Sequence, residues 1–353
     1  MKRAYFIRTF GCQANKADSE RIAGSLEKKG YKEASGIKEA DLVVINSCSV
    51  RQKAEDKIGG LVRNLTLQRK DTGKPKRIIF TGCALYHGIP WLKERFKDID
   101  EVLPTSKLID PKILPKRKDE THAWVPIMEG CSHFCSYCVV PYARGREISR
   151  PFEEIVCEAE ELARRGYTEI TLLGQNVNSY GKDLKNLKLK MKKEFETPFA
   201  LLLAVLNDIP GLQKISFVTS NPWDLTDDII KAIKLPKIDH YLHLPVQSGD
   251  NEILQRMNRP YTAQQYIKLV DKIRKQIPEI KIGTDIIVGF PGETKKQFQK
   301  TVDLCKTVGF ERAYIAIYSP RPETAAYKLK DNVPYEENKR RWKILENLIN
   351  RHE

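Results

Sequence analysis

Trp124-Val-Pro-Ile-Met-Glu-Gly-Cys-Ser-His-Phe-Cys-Ser-Tyr-Cys138 joins a strand-like apolar run to three cysteines spaced Cys-x3-Cys-x2-Cys, at Cys131, Cys135 and Cys138. Three thiolates in one loop suit a cubane iron–sulfur cluster. They hold three irons and leave the fourth without a protein ligand, open to a substrate or cofactor. Zinc also takes clustered cysteines, but a structural zinc site wants four ligands, usually from two Cys-x2-Cys knuckles, and one short knuckle is present. Cys157 would complete a tetrahedron. It falls instead in the apolar stripe of a helical pattern, Glu153-Glu-Ile-Val-Cys-Glu-Ala-Glu-Glu-Leu-Ala, where a buried free thiol is expected.

Strand-like runs recur downstream between helical patterns: Trp124-Val-Pro-Ile-Met, Glu169-Ile-Thr-Leu-Leu, Lys214-Ile-Ser-Phe-Val, Tyr241-Leu-His-Leu-Pro-Val, Ile282-Gly-Thr-Asp-Ile-Ile-Val and Ala313-Tyr-Ile-Ala-Ile-Tyr. Six β/α units are too few for a closed eight-stranded barrel and suit a partial one, with chemistry at the carboxyl ends of the strands. Gly174-Gln-Asn, Thr219-Ser-Asn, Gln247-Ser-Gly and Gly289-Phe-Pro-Gly-Glu fall at or just past those ends, beside the cysteine loop. Gly, Asn and Ser also make plain turns, so the pattern alone leaves both uses open.

Upstream, Cys12, Cys48 and Cys83 each follow a short β-branched or aromatic run: Ala4-Tyr-Phe-Ile-Arg-Thr-Phe, Asp41-Leu-Val-Val-Ile-Asn and Arg77-Ile-Ile-Phe-Thr. The spacings (48 − 12 = 36 and 83 − 48 = 35) are about the length of one strand-helix unit returning to a parallel strand. Three such units bring the thiols to one edge of an open α/β sheet, where such sheets bind ligands. Ala17-Asp-Ser-Glu-Arg-Ile-Ala-Gly-Ser-Leu reads as the opening of the first helix, with Ser19 or Asp18 as its cap. The first domain therefore spans 1–114, a charged, proline-containing linker spans 115–121, and the second domain spans 122–353. The fold class is α/β: an open parallel α/β domain followed by a partial (β/α)6 barrel.

Six of the eight cysteines form two triads, leaving Cys157 and Cys305 as core thiols in helical patterns. Disulfides are the competing use of an even count. No secretory pattern precedes the first strand, which favours a reducing, cytoplasmic setting. No run approaches the roughly 18 apolar residues of a membrane span. A formal charge of +15 over 353 residues points to a polyanionic partner, without choosing among RNA, DNA and acidic membrane surfaces. The run Lys182 to Lys193, with Lys185, Lys188, Lys190, Lys192 and Lys193, reads as a solvated basic loop after the second barrel strand or as a contact for an RNA backbone.

Thr9-Phe-Gly-Cys-Gln-Ala-Asn, Asn46-Ser-Cys-Ser-Val-Arg, the stretch from Gly130 to Arg150 with Val139-Val-Pro-Tyr-Ala-Arg-Gly, Leu173-Gly-Gln-Asn-Val-Asn-Ser-Tyr-Gly, Leu242-His-Leu-Pro-Val-Gln-Ser-Gly, Asp285-Ile-Ile-Val-Gly-Phe-Pro-Gly-Glu-Thr and Tyr318-Ser-Pro-Arg-Pro span nearly the whole chain. Together they resemble the radical S-adenosylmethionine (SAM) methylthiotransferases, and most the MiaB-type tRNA group. Ala14 stands where that group often has methionine, and Ser220-Asn-Pro-Trp-Asp replaces a more usual Ser-His-Pro. The group continues into a small RNA-binding β-barrel called TRAM, where this sequence stops in a basic helical pattern at Glu353.

The resemblance implies a radical SAM barrel in which Cys131, Cys135 and Cys138 are catalytic and hold the SAM-cleaving 4Fe–4S cluster. It implies a methylthiotransferase domain in which Cys12, Cys48 and Cys83 hold a second 4Fe–4S cluster. SAM contacts are expected from Gly174, Gln175, Asn176, Gln247, Ser248, Asp285 and Ile287. Tyr137 and Phe134 flank the cysteines, to pack on adenine or to shield the cluster, and Arg144, Arg146 and Arg150 are placed to meet RNA phosphates or to serve as ordinary surface arginines. The implied reaction is methylthiolation of C2 of N6-isopentenyladenosine at position 37 of a tRNA anticodon stem-loop. Flavodoxin or ferredoxin would be the electron donor and the protein a monomer without membrane attachment. Alternatives are methylthiolation of threonylcarbamoyladenosine tRNA or of a ribosomal protein, and a non-catalytic zinc-stabilised RNA-binding protein.

Overall fold

The computed structural model describes residues 3–48, 52–184 and 194–351, and the chain divides into two compact units. One comprises Met1–Glu120 with Val139–Gly145, the other Thr121–Cys138 with Arg146–Glu353. The run of lysines from Lys185 to Lys193 lies outside the described residues.

In the first unit, β1 (Ala4–Thr9), β2 (Lys32–Glu33), β3 (Leu42–Ser47), β4 (Arg77–Gly82) and β5 (Glu101–Val102) form one parallel sheet ordered β2-β1-β3-β4-β5. Its helices are α1 (Gln13–Lys28), α2 (Gln52–Thr72), α3 (Ile89–Arg95), α4 (Thr105–Leu108) and α5 (Val140–Arg144). The central strand β3 is apolar at consecutive positions because both of its faces are covered. Val43 and Ile45 pack with Ile58, Val62 and Leu65 of α2, while Leu42 and Val44 pack with Ile22 and Leu26 of α1. The paired positions Thr9↔Asn46 and Asn46↔Thr81 bring the ends of β1, β3 and β4 level at one edge of the sheet.

Helix α1 begins earlier than the sequence suggests: Cys12 is its N-cap residue, and Asp18 and Ser19 lie inside it. Ser19 is half-buried at the sheet end rather than capping, with its Oγ 2.8 Å from Thr9 Oγ1 and accepting from Asn46 Nδ2 at 2.9 Å. The charged stretch before the second unit lies along α1, where Lys116 pairs with Glu27 and with Glu33 (2.9 Å), and Arg117 with Glu20 (3.7 Å).

The second unit contains β6 (His122–Pro126), β7 (Met128–Glu129), β8 (Ile148–Ser149), β9 (Glu169–Leu173), β10 (Lys214–Phe217), β11 (Tyr241–His243), β12 (Lys281–Val288) and β13 (Arg312–Ile317). Strands β7 and β8 make a short antiparallel ladder; the rest form two parallel sheets, β10-β9-β6 and β11-β12-β13. Ile215 N donates to Lys237 O (2.7 Å) and Asp239 N to Ile215 O (2.9 Å), which carries the wall from β10 to the lead-in of β11. Among the described residues no pairing joins β6 to β13, so the six parallel strands form an open, partial barrel, as the repeated apolar runs lead one to expect.

Around this wall run α6 (Phe152–Arg164), α7 (Pro198–Asn207), α8 (Asp227–Ile233), α9 (Asn251–Arg256), α10 (Ala263–Gln276), α11 (Lys295–Val308) and α12 (Tyr335–Ile349), sharing one apolar core with the strands. Helix α6 buries Phe152, Ile155, Ala159 and Leu162, spaced three and four apart, each worth ~1.5–3 kcal/mol for the larger side chains. Cys157 lies two residues from both Ile155 and Ala159, hence across the helix, and is exposed rather than a core thiol. Cys305 on α11 is buried as expected, and burial pushes its thiol up to about 12. Capping boxes start α10 (Thr262 with Gln265) and α11 (Thr294 with Gln297). Among the described residues no helix is long and apolar enough to cross a membrane.

Candidate functional site

The loop between β7 and β8 carries Cys131, Cys135 and Cys138, all half-buried. Its shape is imposed by its neighbours. Ser136 N donates to Met257 O (3.1 Å), Ser136 Oγ to Arg256 O (2.7 Å) and Ala326 N to Ser136 O (2.7 Å). Asn258 Nδ2 donates to the carbonyls of His133 (3.2 Å) and Phe134 (3.1 Å), just past the end of α9. Phe134 itself sits at φ +48 and is 42% exposed, so it does not bury the loop. Tyr137 packs inward with Ile253, Met257, Phe290 and Tyr318. Burial pushes the Cys131 thiol up to about 11, a cost that binding iron as thiolate must overcome.

Arg259 lies behind Cys135. Its guanidinium donates to Pro245 O (2.8 Å) and Tyr261 Oη (3.2 Å), reaches Cys135 Sγ (3.5 Å) and sits 4.6 Å from the centre of the Trp223 ring. No carboxylate pairs with it among the described residues, so the charge is arranged for an anion at the cysteines. Sequence reasoning missed Arg259 because its loop carries no motif.

The expected cofactor residues divide into two groups. A Cβ on Gly174 would lie 2.5 Å from Met128 Cγ, and Ser248 Oγ is buried 3.4 Å from Thr301 Oγ1, so both serve close packing. Gln175 Oε1 accepts from Gly130 N (2.6 Å) and steadies the start of the cysteine loop. Asp285 pairs with His243 (3.1 Å), and Ile287 packs with the Tyr137 cluster. Gln247 is different: its backbone is left-handed at φ +67, and its buried Oε1 has no hydrogen-bond partner among the described residues. Thr219, past β10, is also left-handed at φ +75, and the buried Ser220 Oγ beside it is likewise without a partner. Left-handed backbones and buried, unpartnered polar atoms at two strand ends are features that a bound ligand or water would satisfy.

Asn176 joins a polar knot that the motifs did not reveal. Its Nδ2 lies 2.6 Å from His133 Nε2, Asn221 Nδ2 donates to its Oδ1 (2.5 Å), and His133 stands 3.5 Å from Glu147 and 3.6 Å from Asp224. Burial, first, lowers the His133 pKa against those two carboxylates. Burial raises Asp224, yet hydrogen bonds from Lys182, Ser179 and Asn221 bring it below the usual range. Cys131, His133 and Glu147 offer sulfur, nitrogen and oxygen within 4.8 Å of one another, the one such trio among the described residues. Neither cysteine triad contracts that far. A cubane puts its thiolates on three different irons, farther apart than the ligands of a single zinc ion, so the spacing of each all-sulfur triad speaks against a zinc ion and is compatible with a cluster.

In the first unit, Cys12, Cys48 and Cys83 stand just past β1, β3 and β4, at the level edge of the sheet. Gly11, at φ +128, passes so close that an added Cβ would lie 2.8 Å from Cys48 Cβ and 2.9 Å from Asn15 Oδ1. Asn15 Nδ2 donates to Asn46 Oδ1 (3.0 Å) and Ser47 O (2.9 Å), which fixes the Cys12 turn to the Cys48 turn. Burial pushes Cys83 up to about 11, opposed by Arg144. Arg144, expected either at RNA phosphates or as an ordinary surface arginine, instead donates to Cys83 Sγ (3.2 Å) and Asp18 (2.8 Å). Arg150 is likewise engaged, with Pro126 O (2.6 Å) and Glu158 (2.8 Å), and Arg146 is exposed. No local pattern signals this role, because the partners of Arg144 are 61 and 126 residues away.

A six-stranded partial barrel with a three-cysteine loop after its first strand defines the radical SAM class, and the family described as Radical SAM superfamily matches residues 125–305. Residues 4–104 match the family described as Uncharacterized protein family UPF0004. Relatives described as tRNA-2-methylthio-N(6)-dimethylallyladenosine synthase, from Thermoanaerobacter pseudethanolicus and Thermotoga petrophila, are each 43% identical. They cover 93% and 98% of this chain, which spans 74% and 82% of their lengths. The solved radical SAM methyltransferase TsrM from Kitasatospora setae shares the fold at a TM-score of 0.65, with 16% identity, over 93% of this chain and 75% of its own. The chain belongs to the radical SAM methylthiotransferase family. It is an enzyme that works with a 4Fe–4S cluster and SAM.

Proposed function

We propose that the protein is a tRNA methylthiotransferase that converts N6-isopentenyladenosine at position 37 to its 2-methylthio derivative. The observation that carries this reading is the 41–43% identity to relatives named for that reaction, over 93–99% of this chain. In this reading Cys131, Cys135 and Cys138 ligate the cluster that works on SAM, and Cys12, Cys48 and Cys83 ligate a second 4Fe–4S cluster. When bound, the first supplies the electron that splits SAM into a radical able to break an aromatic C–H bond, and the second carries the sulfur to be transferred.

The chain's own work is to hold and to shield. Asn258, Met257 and Arg256 clamp the cysteine loop, and Arg259 balances the negative charge gathered there. Gln247 and the Thr219–Ser220 turn offer free acceptors to the SAM amino and ribose groups, and Gln175, Asn176, Gly174, Ser248, Asp285 and Ile287 shape the walls around them. The anticodon loop of tRNA presents an unpaired base, which is readily unstacked to meet the radical. A surplus of +15 charge favours its phosphates. The protein acts as a cytoplasmic monomer without membrane attachment, with a flavodoxin or ferredoxin as electron donor. We read 1–114 and 122–353, joined by 115–121, as the two functional domains, with 139–145 of the second belonging to the first compact unit.

Mass spectrometry of tRNA nucleosides from a deletion strain tests the substrate: the 2-methylthio group should be missing from isopentenyladenosine. An unchanged tRNA profile would refute it. The division of labour is tested by two variants. Cys135→Ala should lose about half the iron and all SAM cleavage, whereas Cys48→Ala should keep SAM cleavage and lose sulfur insertion. Methylthiolation by Cys48→Ala would refute the second cluster's role.

A further inference from the structure

One buried cation is used by none of these steps. Arg144 ends α5, which follows Cys138 in sequence and packs in the first unit. Its side chain is 9% exposed, with Nε donating to Cys83 Sγ at 3.2 Å and Nη2 to Asp18 Oδ2 at 2.8 Å. Asp18 lies on α1, whose N-cap residue is Cys12. The guanidinium therefore ties the helix that starts at one cysteine of the triad to the turn that carries another.

We propose that Arg144, oriented by Asp18, is a positioning residue of the second cluster: its charge-assisted hydrogen bond to the Cys83 sulfur sets the cluster's reduction potential. Three physical points carry this. Hydrogen bonds to cluster sulfurs and nearby charge are the means by which proteins tune such potentials. A guanidinium is permanently charged, and its planar fork serves two acceptors at once, so Asp18 fixes its direction while Nε points at sulfur. Burial keeps water from screening the contact. Reduction adds negative charge, which Arg144 stabilises.

The proposal rests on Cys12, Cys48 and Cys83 holding a cluster, and the experiment separates the two. Full-length protein with Cys131, Cys135 and Cys138 all replaced by Ala is reconstituted anaerobically with iron and sulfide, then titrated with dithionite and followed by electron paramagnetic resonance. Loss of the cluster from this parent protein would overturn the reading of the triad itself. With the parent loaded, Arg144→Gln should keep its iron and disfavour the reduced form about tenfold, a fall of about 59 mV for a one-electron couple. Arg144→Lys, which keeps a charge without the fork, should fall between them. An Arg144→Gln midpoint equal to the parent's would overturn the proposal while leaving the triad's reading intact. If Arg144→Gln cannot retain iron, Arg144→Lys carries the same test, and an unchanged midpoint there overturns it.

Discussion

Replacing Arg259 by Met should cost stability when the cluster is bound and change it little when the cluster is absent. In the apo chain the substitution removes a charged hydrogen bond to Pro245 O, ~1.5–3 kcal/mol, and a desolvated cation–π contact with Trp223, ~2 kcal/mol. It leaves Pro245 O with the weaker share of the single Tyr261 Oη proton, which lies 3.3 Å from it and 2.7 Å from Val246 O. Against this stands the desolvation of an unpaired guanidinium, several kcal/mol, so the terms nearly cancel. Three thiolates on a cubane form a net anion. At an effective dielectric of about 20, a unit charge on Cys135 Sγ at 3.5 Å would gain ~5 kcal/mol from Arg259. Spreading that charge over the cluster reduces the gain to ~2 kcal/mol. At roughly 2–4 °C per kcal/mol, the loaded variant should melt ~4–8 °C below the loaded wild type, with the stripped proteins within ~2 °C of each other. Anaerobic thermal melts followed by circular dichroism, before and after chelation, measure both differences. Equal losses in the two states would show that Arg259 only packs.

Gly11→Ala forces a Cβ into Cys48 Cβ at 2.8 Å and strains a φ of +128, so it should lower the iron held by the first-unit triad by up to half while SAM cleavage persists; full iron content would refute the close-approach argument. Arg341→Met leaves Glu293 buried without its 2.7 Å partner, a loss of ~3–5 kcal/mol at neutral pH in urea unfolding. Burial already raises the Glu293 pKa, so the protonated form is the one that folding favours. Stability of Arg341→Met should therefore recover as pH falls below the folded pKa and be lost as pH rises through it. A pH-independent deficit would count against this account.

The strands and the cysteine turns were legible because they are local. Leu42-Val-Val-Ile announces a strand covered on both faces, and cysteines 36 and 35 residues apart, each after such a run, land on neighbouring parallel strands. Local reading failed where a side chain's partner is remote. Asp18 looks like a cap because it is a carboxylate before an apolar periodic run, yet its role is set by Arg144, 126 residues away. Cys157 looks like core because apolar residues surround it in sequence, yet the helical angle from Ile155 carries it to the other side. Gly174 and Ser248 look like ligand-binding turns, yet close packing against Met128 and Thr301 is by itself enough to account for them. Gln247 was expected at SAM and Thr219 at a strand-end turn, but their left-handed backbones and the unpartnered acceptor of Gln247 lie outside what a sequence pattern can display.

Charge explains what the motifs left out. A cysteine loop is visible in sequence because thiolates are scarce and their spacing is constrained; the cation that balances them is one of 61 Lys and Arg residues and carries no spacing rule. In each unit one arginine has left the surface for a cysteine sulfur, Arg144 at Cys83 and Arg259 at Cys135. Burying a guanidinium costs several kcal/mol unless an anion meets it. Asp18 meets Arg144 directly, whereas among the described residues Arg259 has only carbonyl, phenol, indole and thiol around it. The first-unit site is thus balanced by protein before any cluster binds, and the barrel site reaches balance only with its anion in place. Removing the clusters should accordingly loosen the barrel's cysteine loop more than the turn at Cys83, which amide hydrogen exchange on stripped and reconstituted protein can resolve.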